Sequence, residues 1–215
     1  MTRPALQRTD EWWLARRGKL TSSKVHRVLT GTPKRGWKTL AAELAAELRQ
    51  DTMPDDVRAY AMARGEDMEP TTLANAALDC GFRPILVGFK QHPTIPYIGA
   101  SSDFLVRIGR SRTKFINGEA KSPLSLNRHL RIVMNRQLPS EYKPQVQLQM
   151  EVHGADLTYF ITHHPDAPDW RMRTVKIEVE RDQGYIDYML ARSAAFMKFY
   201  TFTDDEPVSG IPETF

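Results

Sequence analysis

Three residues carry the most chemistry per position in this chain. Glu119 and Lys121 stand two apart in Gly118-Glu119-Ala120-Lys121-Ser122-Pro123, and Asp103 stands upstream in Ala100-Ser101-Ser102-Asp103-Phe104. Side chains two apart on a strand share a face, so Glu119 and Lys121 point together while Ala120 points into packing. A hairpin of Asp103–Ile108 with Lys114–Lys121, turning near Gly109, would bring Asp103 beside them. Two carboxylates held together resist double ionisation unless a cation lies between them. Hard oxygen donors suit Mg²⁺ or Mn²⁺. Such an ion acidifies water and neutralises phosphate charge, and a neighbouring lysine can orient or deprotonate that water. The chemistry would be phosphodiester hydrolysis. The same triplet also arises as a cross-strand ion pair on a solvated face, with no chemical role.

Other residues could join this constellation. In "ARGEDMEP" the acids Glu66, Asp67 and Glu69 lie near a helix disturbance at Gly65 and Pro70, within reach of a shared metal. For Glu66 and Asp67 a solvated acidic helix start is the preferred reading. In "SEYKPQVQLQM" one helical stripe carries Tyr142, Gln145 and Gln149, groups that hydrogen-bond a phosphate or a water, though polar stripes are usually exposed. Arg107, Arg110, Arg112 and Lys114 crowd the expected hairpin turn. With Arg128 and Arg131 they are candidates to track a DNA backbone, or plain solubilising charge. Trp12 could stack on a DNA end or act as a buried anchor. His163, His164 and Asp166 read as solvated loop residues rather than a metal cluster. Cys80 reads as core packing.

The elements that must position these groups follow from periodicity and punctuation. Helices are expected at Trp12–Arg17, in "TSSKVHRVL" with hydroxyl capping, over Lys38–Gln50, and through residues 55–81 with a break. "RPILVGFKQ", "YIGASSDFLVRI" and "KFINGEAK" read as consecutive antiparallel strands. A helix in "SLNRHLRIVMNR" should bury Leu126, Leu130 and Val133, and a second starts near Ser140. Strands "LTYFITHH" and "RMRTVKIEVE" precede a long final helix whose methionines are core by spacing. The expected fold class is α/β, a mixed central sheet flanked by helices. Residues 1–203 are expected to form one domain, with 204–215 as an irregular acidic tail.

Composition narrows the function class. The chain has 215 residues, 41% of them hydrophobic and 26% charged, as in ordinary globular proteins. Its one cysteine excludes an intramolecular disulfide. The opening residues are charged throughout and lack the apolar run of a secretory signal, and no run is long enough to span a membrane. A cytoplasmic location is expected. The net charge of +4 mildly favours a polyanionic partner.

The ordered blocks "WLARRGKLTSSKV", "RGEDMEP", "IGASSDFLV", "GEAKSP" and "YKPQVQLQMEV" resemble the phage lambda exonuclease and YqaJ viral recombinase family of the PD-(D/E)xK nucleases. The resemblance runs from about Trp12 to the last helix. It implies a restriction-endonuclease-like core and a processive 5′→3′ exonuclease acting on one strand of linear double-stranded DNA. It also implies two Mg²⁺ ions (Mn²⁺ substituting), a homotrimeric ring, a single-strand annealing protein as partner, and phage-type recombination in a bacterial cytoplasm. By motif, Asp103 and Glu119 would be metal ligands, with the carbonyl of Ala120 completing the shell. Lys121 would position the nucleophilic water, and Glu69 would hold the second metal or its water. Gln145 matches the family's glutamine, with Tyr142 beside it. Arg16, Ser23 and Ser101 match the positions that grip the 5′-phosphate, and spacing to Ser23 favours Arg16 over Arg17. The family's "SPDG" is "SSDF" here, so Ser102 and Phe104 replace the proline and glycine around Asp103. Two alternatives remain: a PD-(D/E)xK endonuclease, restriction or junction-resolving, and a non-catalytic DNA-binding recombination scaffold. Retention of the charged set speaks against the second.

Overall fold

The computed structural model describes residues 9–52, 54 and 70–201. Helices α1 (Asp10–Arg16), α2 (Val25–Thr30) and α3 (Trp37–Leu48) come first, with the two-residue strand β1 (Leu20–Thr21) between α1 and α2. Helix α4 (Pro70–Asp79) leads into β2 (Pro84–Ile85), β3 (Phe89–Gln91), β4 (Ile98–Ser101), β5 (Phe104–Arg107) and β6 (Phe115–Lys121). Helix α5 (Leu126–Asn135), a 3₁₀ turn (Ser140–Tyr142) and α6 (Lys143–His153) cross to β7 (Leu157–His163). The short α7 (Trp170–Arg173), β8 (Thr174–Glu180) and α8 (Gln183–Thr201) complete the order.

The expected mixed sheet is present with five strands in the order β2-β5-β6-β7-β8, and β6 runs parallel to β7. A three-stranded sheet, β1-β4-β3, stands beside it. Two runs read as single strands are therefore divided. "RPILVGFKQ" splits into β2 and β3, and "YIGASSDFLVRI" splits at Ser102 and Asp103 into β4 and β5, each piece pairing in a different sheet. Side-chain chemistry drives the second split. Ser102 is fully buried and donates its hydroxyl to Asn117 Oδ1 (2.5 Å), while the Asp103 carboxylate turns back onto β6.

Helix α6 sits between the two sheets. Val146 packs with Tyr142, Ile132, Phe160 and Ile177 on the five-stranded sheet, whereas Leu148 and Val152 pack with Leu20, Ile98, Phe196 and the helices α2, α3 and α8. A helix covered on all sides shows no clear apolar stripe. That is why its glutamines look like a solvent face in sequence while Gln147 and Gln149 are buried. Gln147 ties the helix down, donating to the Glu180 carbonyl and accepting from the Asp182 amide, both at 2.9 Å. The opposite face of the sheet is covered by α4 through Leu73 and Ala76 against Phe104, Ala120 and Ile161.

Smaller expectations shift too. The inner face of α5 is His129, Ile132 and Val133, rotated from the expected Leu126, Leu130 and Val133, because His129 finds buried partners in Thr162 Oγ1 (2.9 Å) and the Met172 carbonyl (2.7 Å). No hydroxyl caps α2. Its cap position is Lys24, and Ser23 Oγ lies 3.1 Å from Thr21 Oγ1 instead. "RMRT" begins as the helical turn α7, whose cap is Asp169. Met189 and Met197 on α8 are buried as expected, and Cys80 packs half-buried against the α4 face.

Candidate active site

The β5–β6 hairpin forms as the sequence suggests, turning at Gly109 (φ +56°). Its register pairs Phe104 with Gly118, so Asp103 comes opposite Glu119, and the Asp103 amide donates to the Gly118 carbonyl at 3.1 Å. The Asp103 side chain is pinned as well: Oδ2 accepts the Ala120 N–H at 2.8 Å. Ala120 itself is buried on the far face.

Glu119 is 1% exposed. A buried carboxylate is costly unless donors surround it, and each hydrogen bond to a charged group restores about 1.5–3 kcal/mol. Three donors do so here. Gln145 Nε2 (2.5 Å) and Lys121 Nζ (2.7 Å) share Oε1, and Gln149 Nε2 donates to Oε2 at 2.6 Å. Lys121 is buried beside it. Glu119 and Lys121 are thus a buried pair beside the half-buried Asp103 and not a solvated cross-strand ion pair. Tyr142 walls its rim, with Lys121 Nζ 5.8 Å and Arg128 Cζ 5.5 Å from the ring centre. Arg128 turns inward, donating to Tyr142 Oη at 2.7 Å and to Glu141 at 3.2 Å, while Arg131 is exposed.

The donor set fits a hard divalent cation. Asp103 and Glu119 offer oxygens from adjoining strands, and the Ala120 carbonyl lies between Glu119 and Lys121 on the same strand. The amides and ammonium on Glu119 leave it lone pairs to spare, since an ionised carboxylate has about four acceptor sites. Among the described residues no three His, Cys, Asp or Glu side chains converge. Glu69, with Glu66 and Asp67, lies outside the described residues.

The residues expected to grip a 5′-phosphate gather on the neighbouring sheet. Trp12 Nε1 donates to Ser101 Oγ at 2.9 Å, and the Arg16 guanidinium lies 4.2 Å from the Trp12 ring centre. Strand β1 runs parallel to β4, and the Ser22 amide donates to the Gly99 carbonyl at 3.1 Å, which carries the exposed Ser23 to the Ser101 end of β4. Arg17 points elsewhere, to the Gln50 carbonyl (2.5 Å) and Asp51 (3.1 Å). Burial pulls the Arg16 pKa below the usual guanidinium value, against the opposing pull of Glu47 and Glu43, and its buried Nε has no hydrogen-bond partner among the described residues. A desolvated cation with a spare donor favours an anionic ligand.

The histidines correct a reading. His164 is buried rather than solvated, accepting the Asp166 amide at Nδ1, and His163 bonds Thr174. Burial lowers the pKa of His163 and of His129. Arg107, Arg110, Arg112 and Lys114 are exposed around the hairpin turn. The sequence marks Ser102 only as a departure from the family's proline, and it marks Asn117 not at all. Asn117 stands two residues before Glu119 on the same face of β6, a period-two signal that could have found it, whereas no local pattern pointed to a buried hydrogen bond at Ser102.

Comparison with known proteins bears on the fold and the family. The sequence profile of the YqaJ-like viral recombinase domain matches residues 11–156. An alkaline exonuclease from Laribacter hongkongensis superposes with a TM-score of 0.74 at 31% identity, over 89% of this chain and 92% of that one. The same exonuclease in complex with dAMP gives 0.73 at 30% identity over the same shares. A phage related exonuclease from Haemophilus somnus 129PT shares the fold at 15% identity, with a TM-score of 0.56 over 85% of this chain and 93% of that one. No curated protein sequence matches significantly. The fold is that of the PD-(D/E)xK nucleases. With its profile match extending from α1 through the whole Asp103–Glu119–Lys121 hairpin to the end of α6, the chain belongs to the YqaJ-like viral recombinase family.

Proposed function

We propose that this protein is a divalent-metal-dependent exonuclease that digests one strand of linear double-stranded DNA in the 5′→3′ direction from 5′-phosphorylated ends. The observation that carries the reading is the buried Glu119 carboxylate, held by Gln145, Gln149 and Lys121 beside the pinned Asp103. The alkaline exonuclease named for its structural relative supports the same class. Asp103, Glu119 and the Ala120 carbonyl would hold Mg²⁺, with Glu69 serving a second ion and Mn²⁺ able to substitute. Two such ions, when bound, neutralise charge on the scissile phosphate and acidify the attacking water.

The protein's own groups do the rest. Lys121, fixed on Glu119 Oε1, holds its ammonium where it can donate to a water and orient it. Gln145 keeps Glu119 in place from the other side. Arg16, Ser23 and Ser101 would dock the terminal phosphate, with Trp12 against the end, so that only a seated end presents its first phosphodiester to the carboxylates. Arg128 and Tyr142 would line the rim for the strand. Backbone contacts of this kind carry little sequence preference. The reading extends, from the family resemblance, to one exonuclease domain over residues 1–203, a homotrimeric ring, processivity by enclosure, and single strands handed to an annealing protein in a bacterial cytoplasm. Among the described residues no helix is long and apolar enough to cross a membrane.

The test is release of nucleotides from linear duplex with Mg²⁺, run beside covalently closed circular duplex. End-dependent digestion leaves the circle intact. Cutting of the circle would replace this reading with that of an endonuclease, and no cutting of either would leave a DNA-binding scaffold.

A further inference from the structure

The polar face of β6 continues beyond Glu119 into a chain of hydrogen bonds whose direction chemistry alone dictates. Gln149 Nε2 faces two groups that can only accept, the ionised Glu119 carboxylate (2.6 Å) and the Ser101 carbonyl (3.1 Å). Its amide nitrogen must therefore point that way, which leaves Oε1 toward Asn117. Asn117 must then donate, and its Nδ2 does so at 3.1 Å, with Thr158 Oγ1 accepting a second bond at 3.0 Å. That leaves Asn117 Oδ1 to accept from the Ser102 hydroxyl at 2.5 Å. Asn117, Gln149, Ser102 and Thr158 are all fully buried, so none of these bonds exchanges with water.

We propose that Asn117 and Gln149 are a positioning pair that locks the catalytic carboxylate to the end-binding strand. Gln149 holds both Glu119 and the Ser101 backbone, and Ser101 in turn holds Trp12. The Asn117 side chain bonds Gln149, Thr158 and Ser102, and it acts by fixing which way the Gln149 amide faces. A seated DNA end and an aligned carboxylate are then one arrangement. The inference rests on the nuclease reading for what the arrangement serves, but not for its existence.

Gln149→Met keeps length and removes both donors. It should lower kcat on linear duplex by about 10–100-fold, the usual effect of losing a partner that orients a metal ligand. It should also weaken Mn²⁺ binding, read by calorimetry, by about tenfold and reduce the preference for 5′-phosphorylated over 5′-hydroxyl ends. A loss of folded fraction scales both ends alike and leaves that ratio unmoved. Asn117→Leu should change the same ratio, and the double variant should be no worse than Gln149→Met alone, because one residue acts through the other. Asn117→Ser serves the same comparison if the leucine variant does not fold. Additive effects in the double variant, or an unchanged end preference in folded Gln149→Met, would overturn the pair. Were the wild-type protein to cleave no DNA, the nuclease reading would fall and the Mn²⁺ titration would still decide: an unchanged dissociation constant in Gln149→Met refutes the pair, and a weakened one upholds it.

Discussion

The Phe104 ring lies across Gly118, its strand partner, so closely that a methyl group built on that glycine would stand 2.2–2.4 Å from the ring carbons. The ring cannot withdraw. It is fully buried and stacked on Phe82 with centroids 5.2 Å apart. Phe104 occupies the position where the family resemblance has glycine, and Gly118 accommodates the exchange by giving up its own side chain. Gly118→Ala should destabilise the protein by about 1–3 kcal/mol, the usual penalty for overpacking. Because β6 must move to relieve the clash, Glu119 should move with it, so nuclease activity should fall further than folded content. Phe104→Leu in the same chain should restore part of both. Denaturant unfolding and nucleotide release check the two readouts, and full activity in Gly118→Ala would mean the ring yields freely.

Asp103 and Lys121 separate chemistry from binding. Asp103→Asn keeps the shape and can still accept the Ala120 N–H, but it removes a charge. Lys121→Met removes the ammonium on Glu119 Oε1. Each should abolish Mg²⁺-dependent hydrolysis while DNA binding, measured by anisotropy without turnover, stays within a few-fold of wild type. Lys121→Met also leaves Glu119 with one donor fewer in a buried place, so a stability loss of about 1–3 kcal/mol should accompany it. Normal turnover in either variant would move the reaction to other residues.

What the sequence made legible and what it hid divide along physical lines. The β5–β6 hairpin, with Glu119 and Lys121 on one face and Ala120 on the other, follows from the two-residue period of a strand, and it appears as expected. The grouping of Arg16, Ser23 and Ser101 came only through the family resemblance, and the Trp12–Ser101 contact was not legible at all, because residues so far apart meet through β1–β4 pairing that no local pattern encodes. The buried state of Gln149 was misleading in sequence. A polar stripe on a helix looks the same whether it meets water or a buried strand face. The break at Ser102 was hidden because a strand of branched and aromatic residues can leave one sheet for another without a glycine or proline to announce it.

Arg16 and Ser23 test the end pocket. Ser23→Ala with Arg16→Ala removes an exposed hydroxyl and a desolvated cation that has a spare donor. The ratio of rates on 5′-phosphorylated and 5′-hydroxyl duplex should fall toward one, with the phosphorylated substrate losing more. Arg17→Ala, whose side chain is bound to Gln50 and Asp51, should leave the ratio as it is in wild type. An unchanged ratio in the double variant, or a collapse in Arg17→Ala, would place the terminal phosphate elsewhere.

His153 makes stability depend on pH. It ends α6, where the helix dipole favours a positive charge by about 0.3–1 kcal/mol. Burial wins over that preference and, with Lys90 nearby, pushes its pKa down from the usual 6.5 to about 4. Its buried Nε2 has no hydrogen-bond partner among the described residues to reverse this. Between those two pH values the unfolded chain binds a proton that the folded chain refuses, so stability rises with pH across the window. The contribution is fully present above about pH 6.5, declines as the pH falls toward about 4, and levels off below. A shift of that size corresponds to about 3 kcal/mol at most. His129 and His163 shift in the same direction and steepen the decline. Urea unfolding at a series of pH values should therefore show lower stability at pH 5 than at pH 7.5, and His153→Gln should flatten the slope. Equal slopes in the two proteins would mean that His153 reaches water and titrates as a free imidazole.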